Sequence, residues 1–340
     1  MNTKIKLLSN QNWEPTILEK CDVLPKRHTV SFATCSCSDS CTASILRIAE
    51  SIREIADIEL NLLSTEAANV EGVKVVQVPP GTKLSKLRKF SQSINTDFIC
   101  ICDPDIVVEA DAVRRVFELA FEAVESESDV VAFGLIECQC SGTLLSRVIA
   151  VDKWLSHRVL RPLLWRLKVG ITIPGQFLVL STSVLRGISP TVDSYLDDLY
   201  MGWIVRSRRG AVLRVNEVIG FEEPRSSWST LLTQRIRWMR GLFTLAGHLT
   251  SQPKAIAFLL IHYIAYHGLP ILFLFMLTCL AVFSPAGALL VFCIVATCVA
   301  ILSRQTIAAA ATYVMLFPLL HCLATLLWWV PLSRQRLTQR

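Results

Sequence analysis

Acidic residues are missing from the last third of this 340-residue sequence. The last one is Glu223, and from Ala255 to Ser333 the only formal charge is Arg304. A solvated helix surface needs polar cover, so this absence excludes a water-soluble C-terminal third. Paired C-x-C motifs at zinc-ribbon or zinc-finger spacing are also lacking, although there are 12 Cys. Nothing repeats at a fixed period, which sets aside solenoids. No aromatic-interleaved basic stripe accompanies the net charge of +6. Nucleic acid is therefore not the expected partner, whereas basic residues beside apolar runs suit anionic membrane lipid.

The thiols that are present fall partly in pairs: Cys35/Cys37, with Cys41 nearby, Cys100/Cys102 and Cys138/Cys140. Residues i and i+2 of a strand share a face, so each pair could ligate a metal. Buried thiols acting as small hydrophobes are the simpler reading. The start of the sequence has no signal peptide, so a reducing cytosol is expected rather than a disulfide framework.

Charge divides the chain into a water-soluble part and a membrane part. The expected domains are an N-terminal segment 1–27, a catalytic domain 28–224, an interfacial helix 225–254, a membrane region 255–333 and a basic tail 334–340. In the soluble part, strands are expected over His28–Cys35, Ile58–Leu63, Val73–Val78, Phe98–Cys102 and Val130–Ile136. Helices are expected over Cys41–Ala56, Leu84–Ile94 and Asp111–Val124. This alternation predicts an α/β fold with a mostly parallel sheet. Leu144–Leu167 reads as one long helix carrying Arg147, Lys153, Arg158, Arg161 and Arg166, either a lipid-facing or a solvated basic face. Thr172–Leu180 ends in another strand-like run, and a helix starts near Ser194 and continues to about Arg209.

The chemistry centres on Asp103-Pro104-Asp105. The uncharged run Phe98–Cys102 reads as a strand buried on both faces. Ligands of open α/β sheets bind just beyond such strand ends. Two carboxylates one residue apart repel unless a cation lies between them. Hard oxygen ligands suit Mg²⁺ or Mn²⁺, which take further ligands from substrate phosphates. Farther on, Asp197-Asp198 opens a helix with more acid than a cap needs. Trp228–Leu249 forms an amphipathic helix with Gln234, Arg237, Trp238 and Gly241 on one face. Leu232, Ile236, Met239, Phe243 and Ala246 lie opposite, and Arg235 and Arg240 flank the two. Such a helix suits a membrane surface.

Candidate spans follow over Ala255–Phe283, with a break at Gly268–Pro270, then Ala286–Leu302 and Thr306–Val330. Three spans from a cytosolic domain would leave Arg334, Arg336 and Arg340 outside, against the positive-inside tendency. An even number, with one segment interfacial or re-entrant, removes the conflict.

With Asp-x-Asp, Asp-Asp and Gln-x-x-Arg-Trp in order before the spans, the chain resembles the family-2 glycosyltransferases over about Val30–Gly241. It looks most like the branch of hyaluronan, chitin and cellulose synthases and ceramide glucosyltransferases. The resemblance implies a GT-A fold binding a nucleotide-sugar, a UDP-sugar before others, with Mg²⁺ or Mn²⁺. It implies that Asp103 and Asp105 serve metal and nucleotide and that Asp198 is the catalytic base. Gln234, Arg235, Arg237 and Trp238 match the motif that holds the diphosphate and borders the acceptor. Lys83 falls where relatives carry a Lys after a Gly, with Lys86 as its rival.

Two positions depart from the pattern. Glu66 stands in place of an Asp-Asp-Gly-Ser-like turn, and Cys35 stands where a Pro is common. A gating motif and an N-terminal span are also absent, which weighs against a long secreted polymer. The expectation is an inverting enzyme at the cell membrane, its catalytic domain cytosolic, with a lipid or glycan acceptor. The rivals are a catalytically silent membrane scaffold of the same fold and a Cys-ligated metal module.

Overall fold

The computed structural model describes residues 6–8, 28–34, 46, 48–50, 52–64, 73–103, 105–124 and 129–330. The chain forms two compact units, 1–136 with 171–222, and 137–170 with 223–340. The end of the first unit at Glu222 lies beside the expected limit at 224. Residues 137–170, expected within the catalytic domain, group instead with the C-terminal helices.

The first unit is built on a nine-stranded sheet. Its strands are β1 (Lys6–Leu8), β2 (His28–Thr34), β3 (Ala56–Ser64), β4 (Lys74–Gln77), β5 (Phe98–Cys102), β6 (Ile106–Val108), β7 (Val130–Cys138), β8 (Phe177–Ser181) and β9 (Ala211–Glu222). The order is β1-β9-β7-β8-β5-β2-β3-β4, and β6 pairs with β9. The β4-β3-β2-β5 block is parallel. Beyond it β8 runs antiparallel to β5 and to β7, and β9 antiparallel to β1 and β6. The sheet is therefore mixed, with the expected parallel order confined to one side. The 12-residue strand β9 was not foreseen, nor were the three-residue strands β1 and β6. The expected helix over Cys41–Ala56 lies largely outside the described residues; Leu46, Ile48–Glu50 and Ile52 are helical.

Packing explains the order of the parallel block. Phe98, Cys100 and Cys102 on one face of β5 meet Phe32 of β2 and Val113, Val116, Phe117 and Ala120 of the helix Ala110–Val124. Those four helical positions share one stripe. The Phe117 ring centroid lies 5.8 Å from Phe32 and 6.5 Å from Phe177. Removing such a ring typically costs about 3–5 kcal/mol. Leu84, Leu87 and Phe90 are the buried apolar residues of the helix Lys83–Ser91. Register brings the ends of β2 and β5 together, with Ala33 opposite Ile101. Asp103 thus stands at the carboxyl edge of the parallel strands.

The second unit is helical. The expected helix Leu144–Leu167 is α-helical over Leu144–Trp154 and Arg161–Arg166, with a π-helical segment Leu155–Leu160 between. Among the described residues, three helices are long and apolar enough to cross a membrane: Pro253–Phe283, Pro285–Ser303 and Ile307–Leu327. The break expected at Gly268–Pro270 is a π-helical turn, Ile264–Gly268, inside a continuous 31-residue helix. Widening the turn ahead of Pro270 accommodates its ring and missing N–H without ending the helix. Arg304, the lone charge of this region, has positive φ and caps Pro285–Ser303.

Candidate active site

The site in the first unit is organised by Lys83. Thr82 caps the helix Lys83–Ser91 by accepting from Ser85 N at 3.2 Å. This fixes Lys83 at the helix start, where its Nζ points back to the sheet edge. The ammonium lies 2.8 Å from Asp103 Oδ1 and 3.2 Å from Asp197 Oδ2, and donates to the Gly175 carbonyl at 2.7 Å. All three charged side chains are nearly buried, at 8%, 13% and 6% exposure. One cation thus ties a strand end, a loop and a helix start together. Lys83, not the half-buried Lys86, holds Asp103.

The loop Pro174-Gly175-Gln176 is pinned on both sides. Asp103 N donates to the Gln176 carbonyl at 2.7 Å. The Gln176 side chain donates to Glu222 at 2.9 Å, at the end of β9 opposite Ile106. A Cβ on Gly175 would stand 3.1 Å from the Cβ of Asp198 and 3.5 Å from its Oδ2. The absence of a side chain at Gly175 is what lets this backbone lie against Asp198.

Asp197 and Asp198 open the helix Asp197–Ser207. The cap position is Leu196, and no side chain caps it. Asp197 is thus not a cap but a buried partner of Lys83. Asp198 is half-buried, and its Oδ1 accepts from Leu199 N at 2.8 Å. Arg88 Nη1 reaches the carbonyls of Ser189, Pro190 and Val192, and Thr82 bonds Asp193, so the preceding loop is held. Burial pushes the Tyr200 phenol up, against its bond to the Ser189 backbone and the nearby Arg208 and Arg88. Gly202 faces the Ile171 carbonyl, 1.8 Å from where a Cβ would be. Arg88, Gly175 and Gly202 therefore shape the candidate site; Gly175 and Gly202 were legible in the sequence as glycines beside a strand-like run and after the Asp-Asp pair, and Arg88 was not.

Asp105, half-buried, follows β5 and precedes β6. Mg²⁺ and Mn²⁺ need one or two protein carboxylates when substrate phosphates complete the shell. Asp105 with the second oxygen of Asp103 fits that donor set, while Asp103 Oδ1 is engaged by Lys83. The stretch Thr65–Glu66, the Cys35/Cys37 pair and Cys41 lie outside the described residues. Cys100 and Cys102 are part of the apolar core.

The remaining expected residues lie in the second unit, on the helix Trp228–His248. Ser227 and Thr230 form a capping box at its start. Its buried face is Leu231, Arg235, Ile236, Met239, Gly241, Leu242 and Leu245. The expected stripe is rotated, since Phe243 is exposed and Arg235 is inside. The cause is Asp152: its Oδ2 lies 2.6 Å from Arg235 Nη2. The guanidinium lies over Trp238 at 4.2 Å and Phe317 at 5.3 Å. Arg235 is therefore held inside this unit, whereas Gln234, Arg237 and Trp238 are half-buried. Asp152 was missed; the signal was a lone acid in a helix otherwise studded with Arg and Lys. Arg240 donates to the Trp328 carbonyl at 3.0 Å, and Phe243 stacks on Trp328 at 4.4 Å.

The sequence matches the model of the Glycosyl transferase family group 2 over residues 98–332, more than half of the chain. The chain belongs to this family. Among solved structures, a mannosyltransferase from Pyrobaculum calidifontis, in complex with GDP-Man and Mn²⁺, is similar at 16% identity and TM-score 0.50. The match covers 88% of this chain and 90% of that one. At this identity the likeness is one of fold, the GT-A type, and the family match runs through the C-terminal helices that could cross a membrane. Mannosyl-3-phosphoglycerate synthase from Rubrobacter xylanophilus matches at 12% identity and TM-score 0.47, over 67% of this chain and 76% of that one. Glucosyl-3-phosphoglycerate synthase from Mycobacterium tuberculosis matches at 18% identity and TM-score 0.44, over 65% and 79%. None of the curated proteins matches significantly.

Proposed function

We propose that this family-2 glycosyltransferase is an inverting enzyme of the cell membrane, its catalytic unit cytosolic, that moves a sugar from a nucleotide-sugar to a lipid or glycan. One observation carries the reading: the buried Lys83 joins Asp103, at the strand end, to Asp197, beside the base candidate Asp198. Donor-binding and proton-accepting groups thus meet around one charge. Three apolar helices support membrane residence.

In this reading Asp198 takes the proton of an acceptor hydroxyl. The freed oxygen attacks the anomeric carbon, and the bond from that carbon to the diphosphate breaks. Gly175, by lying flat against Asp198, keeps the base in place. Gln234, Arg237 and Trp238 hold the leaving diphosphate and border the acceptor, and Arg237 stabilises the charge that develops there. Asp105 and Asp103 would hold Mg²⁺ or Mn²⁺, which when bound supplies positive charge to the diphosphate. A UDP-sugar is the first donor to try; the Pyrobaculum structure of similar fold was solved with GDP-Man and Mn²⁺.

Purified membranes offered labelled UDP-, GDP- and dTDP-sugars test the reading. Transfer with one donor, lost in excess EDTA and in Asp105→Ala, is expected. Product size then separates a single transfer to lipid from polymer growth. Neither transfer nor donor hydrolysis with any of them would leave a silent scaffold.

A further inference from the structure

The three apolar helices of the second unit do not share one direction. Pro253–Phe283 and Pro285–Ser303 are joined by Ser284 alone and pack on each other. Helices joined by so short a turn and packed together run antiparallel. The 19 residues of Pro285–Ser303 return about 28 Å from the turn, at 1.5 Å per residue. That is close to one hydrocarbon thickness, about 30 Å. Ser303 therefore stands level with Ala265 of the long helix, at the membrane surface opposite Ser284.

Ile307–Leu327 starts just beyond, after a tight turn in which Gln305 N donates to the Ala300 carbonyl at 3.1 Å. Were it to cross the bilayer beside the other two, His321 would lie about 21 Å deeper than Ile307, level with Cys279. Instead His321 Nδ1 is 2.8 Å from His267 Nδ1. Farther on, Trp328 stacks on Phe243 at 4.4 Å, and Phe243 lies 6.3 Å from Tyr263. The start of this helix, His321 and Trp328 thus all stay at the level of residues 263–267. It runs across the antiparallel pair rather than along it.

Its neighbours agree. Ala309, Phe317 and Leu320 cluster with Leu145, Val148 and Ile149 of the helix Leu144–Trp154. The Arg235 guanidinium, paired to Asp152, lies over Phe317 at 5.3 Å. Arg240 donates to the carbonyls of Trp328 and Val330. An upright Ile307–Leu327 would draw the Asp152–Arg235 pair toward mid-bilayer, where charge is costly. Tyr263, Tyr266, Trp328 and Trp329 gather at the same level, as aromatic residues do at a membrane–water interface. We propose that Ile307–Leu327 does not cross the bilayer but lies in its surface layer. Its outward residues Met315, Leu316, Leu319, Leu323 and Leu326 rest in the boundary between headgroups and acyl chains. The chain then crosses twice, and Arg334, Arg336 and Arg340 return to the side that holds the residues ahead of Pro253. The proposal rests on the membrane residence proposed above and not on the catalytic reading.

Trypsin applied to sealed membrane vesicles of each orientation tests it, with the full chain carrying an epitope after Arg340. Cleavage at the exposed Arg53 and loss of the epitope should occur from the same face. Cleavage of the two from opposite faces would make Ile307–Leu327 a span and overturn the proposal. A second comparison needs no epitope. Leu319 and Ile294 both face outward near the middle of their helices, at 43% and 54% exposure. Leu319→Lys should accumulate in membranes and melt like wild type, because a lysine at the surface layer reaches water. Ile294→Lys should accumulate poorly, because its charge sits at the centre of a span. Equal losses in the two variants would place Leu319 at the same depth and overturn the proposal. Release of the chain from the vesicles by alkali would instead refute membrane residence, and the proposal with it.

Discussion

Lys83 Nζ and Asp197 Oδ2 lie 3.2 Å apart, with side-chain exposures of 8% and 6%. The same ammonium holds Asp103. Strand end and helix start are therefore one electrostatic unit, and changes to it should affect stability and donor handling together.

Replacing Lys83 leaves two nearly buried carboxylates without their cation. Breaking a buried pair this way costs about 3–5 kcal/mol. Lys83→Met should therefore lower Tm by several degrees and weaken donor binding. Lys86→Met, at a half-buried position, should stay within about 0.5 kcal/mol of wild type. Thermal unfolding of the two variants side by side decides; equal melting would remove Lys83 from the centre of the site.

The two adjacent acids should separate kinetically. Asp198→Asn should bind donor near wild-type affinity while kcat drops about 10²–10⁴-fold. Asp197→Asn removes one of the charged bonds of Lys83, worth about 1.5–3 kcal/mol. It should melt lower yet keep most of its turnover. Exchange of these behaviours would make Asp197 the base.

Two glycines should fail in different ways. Gly175→Ala places a methyl 3.1 Å from the Asp198 Cβ, so the helix start yields by a few tenths of an ångström. Turnover should fall roughly tenfold with little loss of Tm, because small misplacements of a reacting group are costly. Gly202→Ala meets the Ile171 carbonyl, which is backbone and cannot swing away. Its effect should be on stability, about 1–3 kcal/mol. Unchanged kinetics in Gly175→Ala would detach that loop from Asp198.

In the second unit the pair to break is Asp152 and Arg235. Asp152→Asn should destabilise the unit by about 3–5 kcal/mol, since it strands a buried guanidinium. Arg235→Lys should not rescue function, because an ammonium cannot reproduce the planar stacking on Trp238. A melting curve of Arg235→Lys coincident with wild type would argue against the stacking.

Thiol chemistry reads out the core. Burial, with Cys102 beside it, pushes the Cys100 thiol well above its ordinary 9.0. The folded state thus favours the neutral thiol. As pH rises through 9.0 the unfolded chain gains by ionising, so this contribution to stability declines. At neutral pH an alkylating reagent should label the exposed Cys140 and spare Cys100 until the protein unfolds. Mapping labelled peptides by mass spectrometry checks this.

Much of the first unit was legible because its signals are local. The uncharged run Phe98–Cys102 is β5 to the residue, and the helix Ala110–Val124 differs by one residue from its expected start. The charge gap after Lys254 marked the apolar helices. β9 could have been read from its short apolar run at Ala211–Leu213, but a strand with no partner motif is easily passed over. What composition and spacing determined unaided was the division into a soluble and an apolar part, the strand that carries Asp103, and the acids that open the later helix. Only the tertiary structure put Lys83 rather than Lys86 on Asp103, made Asp197 a buried partner rather than a cap and turned Arg235 inward. Each of these depends on which distant side chain shares a desolvated space. A charge is stabilised or stranded by neighbours many residues away in the chain, and periodicity along the chain carries no record of them.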